Sequence, residues 1–293
     1  MKLTDQELLK ELESRFAQQS KMISEQKQFM DDLEKVNARL VESEKLKSDF
    51  LSNIKNEINN PITSMLGLLK LMMSQPEKGI DLTKLVFKET YILNFHLQNV
   101  FLAAELEAGE ASPDYSTVSI HDLIKKVCES LEGIYHENHV KIDLNLKGPS
   151  EFVTDRSMLE ITLSNLISNA IKFSHTNSSI NIEYRQNEPG NIEISVQDFG
   201  VGISEEDSTK IYDRFKQLDT GTTKQYGGHG LGLSVVQSVV DLLDGNISMT
   251  CEIGKGSVFK VTLPEGTINS DNSLFEDEDE FLFSDTSDDT QIF

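Results

Sequence analysis

At 293 residues, with 38% hydrophobic and 26% charged residues, the chain is long enough for two folded units and has an ordinary globular composition. A formal net charge of −22 argues against nonspecific nucleic-acid binding, which draws its affinity from Lys and Arg neutralising phosphates. No apolar run of about 18 residues occurs, and the stretch from Met1 to Phe16 is charged rather than signal-like, so the expectation is a cytoplasmic chain without membrane insertion.

Residues 3 to about 47 contain neither Pro nor Gly and are rich in Glu, Lys, Gln and Leu. Leu9, Leu12, Phe16, Ile23, Met30, Leu33 and Leu40 recur by threes and fours once Gln19, Gln26 and Asn37 are admitted. That heptad spacing predicts a coiled coil of two parallel chains over residues 1–47, because a long solitary helix of this composition gains little from packing. The helix should run on to about Ser74. Gln75-Pro76-Glu77-Lys78-Gly79 reads as a reversal in which Pro stops one helix and Gly supplies a positive φ. A second helix is predicted from about Leu82 to Leu106, closed by Gly109 and Pro113. The hairpin over 48–111 cannot bury a core alone, whereas two copies make a four-helix bundle.

From about Ser116 the periodicity changes. Val140, Ile142, Leu144 and Leu146 alternate, as do Ile180, Ile182 and Tyr184, then Ile192, Ile194 and Val196, and last Phe259, Val261 and Leu263. Helical patterns fall at 120–136, 156–173 and 231–243, so residues 112–264 read as a sheet with helices packed on it. Asp244-Gly245-Asn246 should end the last helix, and Gly254-Lys255-Gly256 should turn between the final two strands. Residues 265–293 hold ten acidic residues and no Lys or Arg, the signature of a disordered acidic tail. Cys128 and Cys251 carry no motif and read as small buried hydrophobes.

Three motifs in the α/β part carry chemistry. Asn165 and Asn169 lie four apart on one helix face, and an amide oxygen can ligate Mg²⁺ without adding charge; Lys172 follows as a point charge for phosphate. Asp198-Phe199-Gly200-Val201-Gly202 follows a strand, where the Asp can accept a hydrogen bond from an amino group and the glycines admit close approach. Gly227-Gly228-His229-Gly230-Leu231-Gly232-Leu233 is a glycine loop opening a helix whose N–H groups can meet phosphate. Tyr212-Asp213-Arg214-Phe215-Lys216-Gln217 lies between the last two.

In this order and spacing the set resembles the N, G1, F and G2 boxes of the sensor histidine kinases, within the wider superfamily shared with gyrase and the Hsp90 chaperones. The resemblance covers about residues 46–264. It implies the fold class α plus α/β: a coiled coil, a dimeric four-helix bundle, and a Bergerat-type α/β sandwich that binds ATP and Mg. By that match Asn169 would hold Mg²⁺ with Asn165 assisting, and Asp198 would contact the adenine amino group. Gly200 and Gly202 would line the base, and Lys172 with Gly228, His229, Gly230, Leu231 and Gly232 would meet the phosphates.

The segment from Phe50 to Pro61 resembles the family's dimerisation and phosphotransfer box, which places a His directly before Glu. Here that position is Asn56. An imidazole nitrogen offers a lone pair, whereas an amide nitrogen is delocalised and not nucleophilic, so autophosphorylation at 56 should be lost. His96 lies off register with the box, and His121, His136, His139 and His175 read as surface or turn residues. Glu57 and Asn60 retain the Glu-x-x-Thr/Asn pattern that the family uses to remove phosphate from a receiver aspartate. The resemblance therefore implies a homodimeric two-component signalling protein whose partner is a response regulator receiver domain. Four readings stand open: a phosphatase acting through Glu57 and Asn60, a non-catalytic regulator that pairs with another histidine kinase or a receiver, an ordinary histidine kinase into which Asn was introduced at 56, and a heterodimer in which this ATP domain phosphorylates a partner's His.

Overall fold

The computed structural model describes residues 5–131, 139–214 and 230–268. The start of the expected acidic tail is ordered, with Glu265 N–H donating to Gly190 O at 2.7 Å and Gly266 N–H to Val153 O at 2.8 Å, while residues 269–293, His136 and the stretch from Phe215 to His229 lie outside the described residues. The chain divides into two compact units, residues 1–96 with 209–231 and residues 97–208 with 232–293.

The first unit is built on one continuous helix, α1, Asp5–Ser74, which at 1.5 Å per residue is about 105 Å long. It passes without a break through residue 47 and through Pro61, whose nitrogen gives up the helical bond to the Glu57 carbonyl. Phe16, Ile23, Met30, Leu33 and Leu40 of the expected seam are all exposed. So are Met22, Phe29 and Val36, a second seven-residue spacing on the same helix that the sequence reading overlooked.

The reversal differs from expectation. A 3-10 turn, Pro76–Lys78, leads directly into α2, Gly79–Ala108, and Gly79 has φ −51°, right-handed and helical, with its N–H bonded to the Pro76 carbonyl. The turn is continuous with the helix, so no left-handed residue is required there. Gly109 does take φ +70° where α2 ends, as a helix C-cap glycine should. Within the hairpin the Ser64 hydroxyl donates to Glu89 at 3.1 Å and the Thr90 hydroxyl meets the Met65 sulfur at 3.1 Å. Ile62, Leu66, Leu69 and Met73 on α1 and Ile80 and Phe87 on α2 are exposed apolar residues.

The second unit holds the α/β part. Strands β2 Lys141–Leu146, β4 Ser179–Glu188, β5 Asn191–Asp198, β7 Gly256–Pro264 and β6 Asn246–Glu252 form one mixed sheet in the order β2-β4-β5-β7-β6. β2 and β4 are parallel and the other pairs antiparallel. A separate antiparallel pair joins β1 Tyr115–Ser119 to β3 Glu151–Asp155, two short strands that lacked a clear alternation in the sequence. Helices α3 Ile120–Ser130, α4 Arg156–Phe173 and α6 Gly232–Leu242 supply the other layer, with a single turn, α5, at Glu205–Ser208.

The core lies between sheet and helices: Leu123, Ile124, Leu159, Leu163, Ile167, Ile180, Ile182, Ile194 and Val236 are fully buried. Burying one such side chain is worth about 1.5–3 kcal/mol. Asp155 caps α4 by accepting from Met158 N at 2.9 Å, and its other oxygen accepts from Asp114 N at 2.7 Å. At the end of α6 the left-handed residue is Asp244, φ +55°, while Gly245 is small because a Cβ there would meet Leu263 and the Thr262 carbonyl. Cys128 is buried, and desolvation pushes its thiol up to about 11; Cys251 is only half-buried, so one of the two cysteines departs from expectation. His121 is no loose surface residue: Nε2 lies 3.2 Å from the Gly148 carbonyl and the ring meets Tyr184 edge-on at 5.6 Å.

Candidate nucleotide site

Strand β5 delivers Asp198. Ile192, Ile194 and Val196 alternate into the core, and Asp198 continues that phase, so its carboxylate ends on the buried side at 5% exposure. Burial raises its pKa, opposed by hydrogen bonds from the Gly200 N–H, 3.0 Å away, and from Ser257 of β7. Ser257 is a partner that the sequence reading missed; its alternation with Phe259, Val261 and Leu263 places it on the buried face of β7.

The glycines after Asp198 are required by the protein's own backbone. A Cβ on Gly200 would overlap the Phe173 carbonyl, and one on Gly202, at φ +68°, would overlap the Glu252 carbonyl. The room on their Cβ side is taken by the protein's own backbone. Val201 N–H donates to Phe173 O at 3.3 Å, Ser174 and Gly200 form an isolated β-bridge, and Gly254 N–H donates to Val201 O at 2.8 Å. The loop after β5 is thereby stitched on one side to the end of α4 and on the other to the β6–β7 turn.

Helix α4 delivers the asparagines. Asn165 is buried, and its Nδ2 donates to Asn99 Oδ1 at 2.6 Å and to the Ile161 carbonyl at 2.9 Å. Its Oδ1 faces Gly232, the first residue of α6, where a Cβ would stand 2.6 Å away. Asn165 thus has the packing use that its sequence position did not suggest, tying α4 to Asn99 of α2 and to the start of α6. Asn99 is itself fully buried, and its place three residues before buried Leu102 on the inner face of α2 was the available signal. One turn along, Asn169 is half-buried, and its carboxamide makes no side-chain hydrogen bond to the described residues. Lys172 occupies the last turn of α4 with Nζ 5.3 Å from the Phe173 ring centre.

The second unit therefore brings together Asn165, Asn169, Lys172, Asp198, Gly200, Gly202 and Gly232. Gly228 and His229 lie outside the described residues; Gly230 has φ +70° and Leu231 is buried. In the first unit Asn56 and Asn60 are exposed on α1, whereas Glu57 turns inward, 13% exposed, with Oε2 3.8 Å from Nδ1 of His96.

Residues 154–267 match the family described as the histidine kinase-, DNA gyrase B-, and HSP90-like ATPase. The sensor-like histidine kinase SenX3 of Mycolicibacterium smegmatis is 26% identical over 240 residues, 81% of this chain and 61% of that protein. Residues 154–267 thus carry the ATPase family's match, and over most of its length the chain is similar to sensor histidine kinases. The signal transduction histidine-protein kinase BarA of Escherichia coli is 28% identical over 78% of this chain and 26% of its own length. The autoinducer 2 sensor kinase/phosphatase LuxQ of Vibrio vulnificus is 30% identical over 76% of this chain and 27% of its own. The chain thus spans 61% of one such relative and about a quarter of the others. Among solved structures, the histidine kinase AdeS of Acinetobacter baumannii superposes with TM-score 0.51 at 22% identity, over 72% of this chain and 98% of that one. Full-length ShkA in complex with AMPPNP gives 0.54 at 24% identity, over 74% and 46%. These likenesses support a helical region joined to a mixed α/β domain of the ATPase kind, and the ATPase match supports ATP as its ligand.

Proposed function

We propose that this chain is a two-component signalling protein of the histidine kinase family that binds Mg-ATP in its α/β domain and does not phosphorylate residue 56. The observation that carries the reading is buried Asp198, braced by Gly200 and Ser257, beside a helix that bears Asn169 and Lys172. Asp198 would accept from the adenine amino group. Asn169 would hold Mg²⁺ through an amide not otherwise bonded among the described residues, and the ion would draw its remaining oxygens from phosphate and water. Asn165, with its Nδ2 committed, would act on the ion only by positioning. Lys172 and the loop from Gly228 to Gly232 would meet the phosphates.

On the helical side Asn56 cannot serve as nucleophile, and exposed Asn60 stands one turn away. Asn60 would orient a water for in-line attack on the phosphoaspartate of a response regulator, with Glu57 beside it in sequence. The exposed apolar stripes of α1 and α2 suit a second copy of this chain, completing a four-helix bundle below a coiled coil. The test is dephosphorylation of a phosphorylated receiver by the full chain. Loss in Asn60→Ala with receiver binding retained supports the phosphatase; an unchanged rate leaves the family's regulator role, in which the chain only pairs with a kinase or receiver. Phosphate mapped to residue 56 in Asn56→His shows that the bundle and ATP site are otherwise competent.

A further inference from the structure

The pair formed by Glu57 on α1 and His96 on α2 has no place in that reading. Thirty-nine residues apart in sequence, they meet across the hairpin at 3.8 Å, an ion-pair distance rather than a hydrogen bond. Glu57 is the carboxylate next to the position that lacks its histidine. It is turned away from solvent toward the imidazole of the other helix, with 13% of its side chain exposed against 21% for His96. Nδ1 of His96 is buried, on the Glu57 side. The other described histidines differ. His121 is engaged by the Gly148 carbonyl and Tyr184, and neither it, His139 nor His175 has a carboxylate within ion-pair distance among the described residues.

We propose that His96, held by Glu57, is the phosphoacceptor of this chain. A carboxylate facing Nδ1 selects the tautomer with the proton on Nδ1 and leaves the lone pair on Nε2. Nε2 then attacks the γ-phosphorus of ATP. The N–P bond forms as the bond to the β–γ bridging oxygen breaks, and that electron pair leaves with ADP. The Nδ1 proton passes to Glu57, so the product is a neutral imidazole phosphoramidate. The inference rests on the ATP-binding reading for its phosphoryl donor, but not for the identity of the nucleophile.

Two donors separate these claims. The full chain is incubated with γ-labelled Mg-ATP and, in parallel, with potassium phosphoramidate, which phosphorylates reactive imidazoles without a nucleotide site; ATP binding is measured by calorimetry on the same sample. The expected result is acid-labile, base-stable phosphate mapped by mass spectrometry to His96. Label should fall to background in His96→Gln and its rate should drop about 100-fold in Glu57→Gln, the usual worth of a general base. ATP affinity should be the same in both variants. ATP that binds while His96 stays unlabelled by either donor overturns the proposal, as does label mapped to another residue and retained in His96→Gln. If ATP does not bind but phosphoramidate labels His96 ahead of His121, His139 and His175, the acceptor stands and the nucleotide reading fails. If ATP does not bind and His96 is also passed over, both fall. Mapping on the unaltered chain keeps the test decisive should a variant fail to fold.

Discussion

Gly202 and Gly190 offer a controlled test of the stitched loop. Both have positive φ, +68° and +80°, so Ala at either position meets the same backbone strain of about 1 kcal/mol. Only Gly202 is crowded: its added Cβ would overlap the Glu252 carbonyl, while nothing lies within 4 Å of one on Gly190. Gly202→Ala must therefore push the loop from the β6–β7 turn, adding about 1–3 kcal/mol of overpacking. It would also weaken the bond from Gly254 N–H to Val201 O, worth about 1 kcal/mol. The expectation is about 3–5 kcal/mol for Gly202→Ala against about 1 for Gly190→Ala, read as midpoints in urea at constant slope. In a thermal melt the crowded variant should lose about 10 °C. ATP affinity should fall with Gly202→Ala, because the same loop sets Asp198, and hold with Gly190→Ala. Equal destabilisation by the two substitutions would refute the close approach on which the site's geometry depends.

Other outcomes follow from the same contacts. Asn165→Ala removes two hydrogen bonds from a buried amide and should lower the stability of the ligand-free protein by about 2–3 kcal/mol, measured in urea. Asn169→Ala should leave ligand-free stability within about 0.5 kcal/mol and weaken Mg-ATP binding, since its amide has no side-chain hydrogen bond to give up among the described residues. The raised pKa of Asp198 makes its ionisation unfavourable in the folded state. Its destabilising contribution is absent below the unfolded value of 3.8, grows as pH rises above it, and is complete above the folded value. Asp198→Asn should abolish that portion of the pH dependence of unfolding, while weakening nucleotide binding. Iodoacetamide should label half-buried Cys251 well before Cys128, whose thiol titrates near 11.

Much of the architecture was legible because burial imposes a period. The alternation at Ile180, Ile182 and Tyr184 and again at Ile192, Ile194 and Val196 is that of strands with one face on a core, and β4 and β5 lie there. The helical pattern at 156–173 matches α4 to the residue, and the structure adds Asp155 as the capping side chain at its start. The short strands β1 and β3 escaped because five residues with few apolar positions display no convincing alternation. Gly79 misled because a glycine after a proline suggests a reversal, whereas the turn had already been completed by the 3-10 segment.

At the site the motifs identified the residues but not always their work. The sequence suggests that Gly200 and Gly202 admit a ligand, and the structure adds that both also make room for the Phe173 and Glu252 carbonyls. The resemblance gives Asn165 only an assisting role beside Asn169, and its bond to Asn99 is not visible in the sequence because that partner lies 66 positions away. The Glu57–His96 meeting was hidden for the same reason: helical register says which face a residue occupies, not which residue of the opposite helix it will face.

The central claim, a nucleotide site built from α4 and the end of β5, is tested most directly by titrating Mg-ATP into the full chain and its Asn169→Ala and Asp198→Asn variants by calorimetry. Saturable binding at one site per chain is expected, weakened by more than tenfold in each variant while far-UV circular dichroism stays unchanged. Binding that survives both substitutions, or no binding to the unaltered chain, would contradict it.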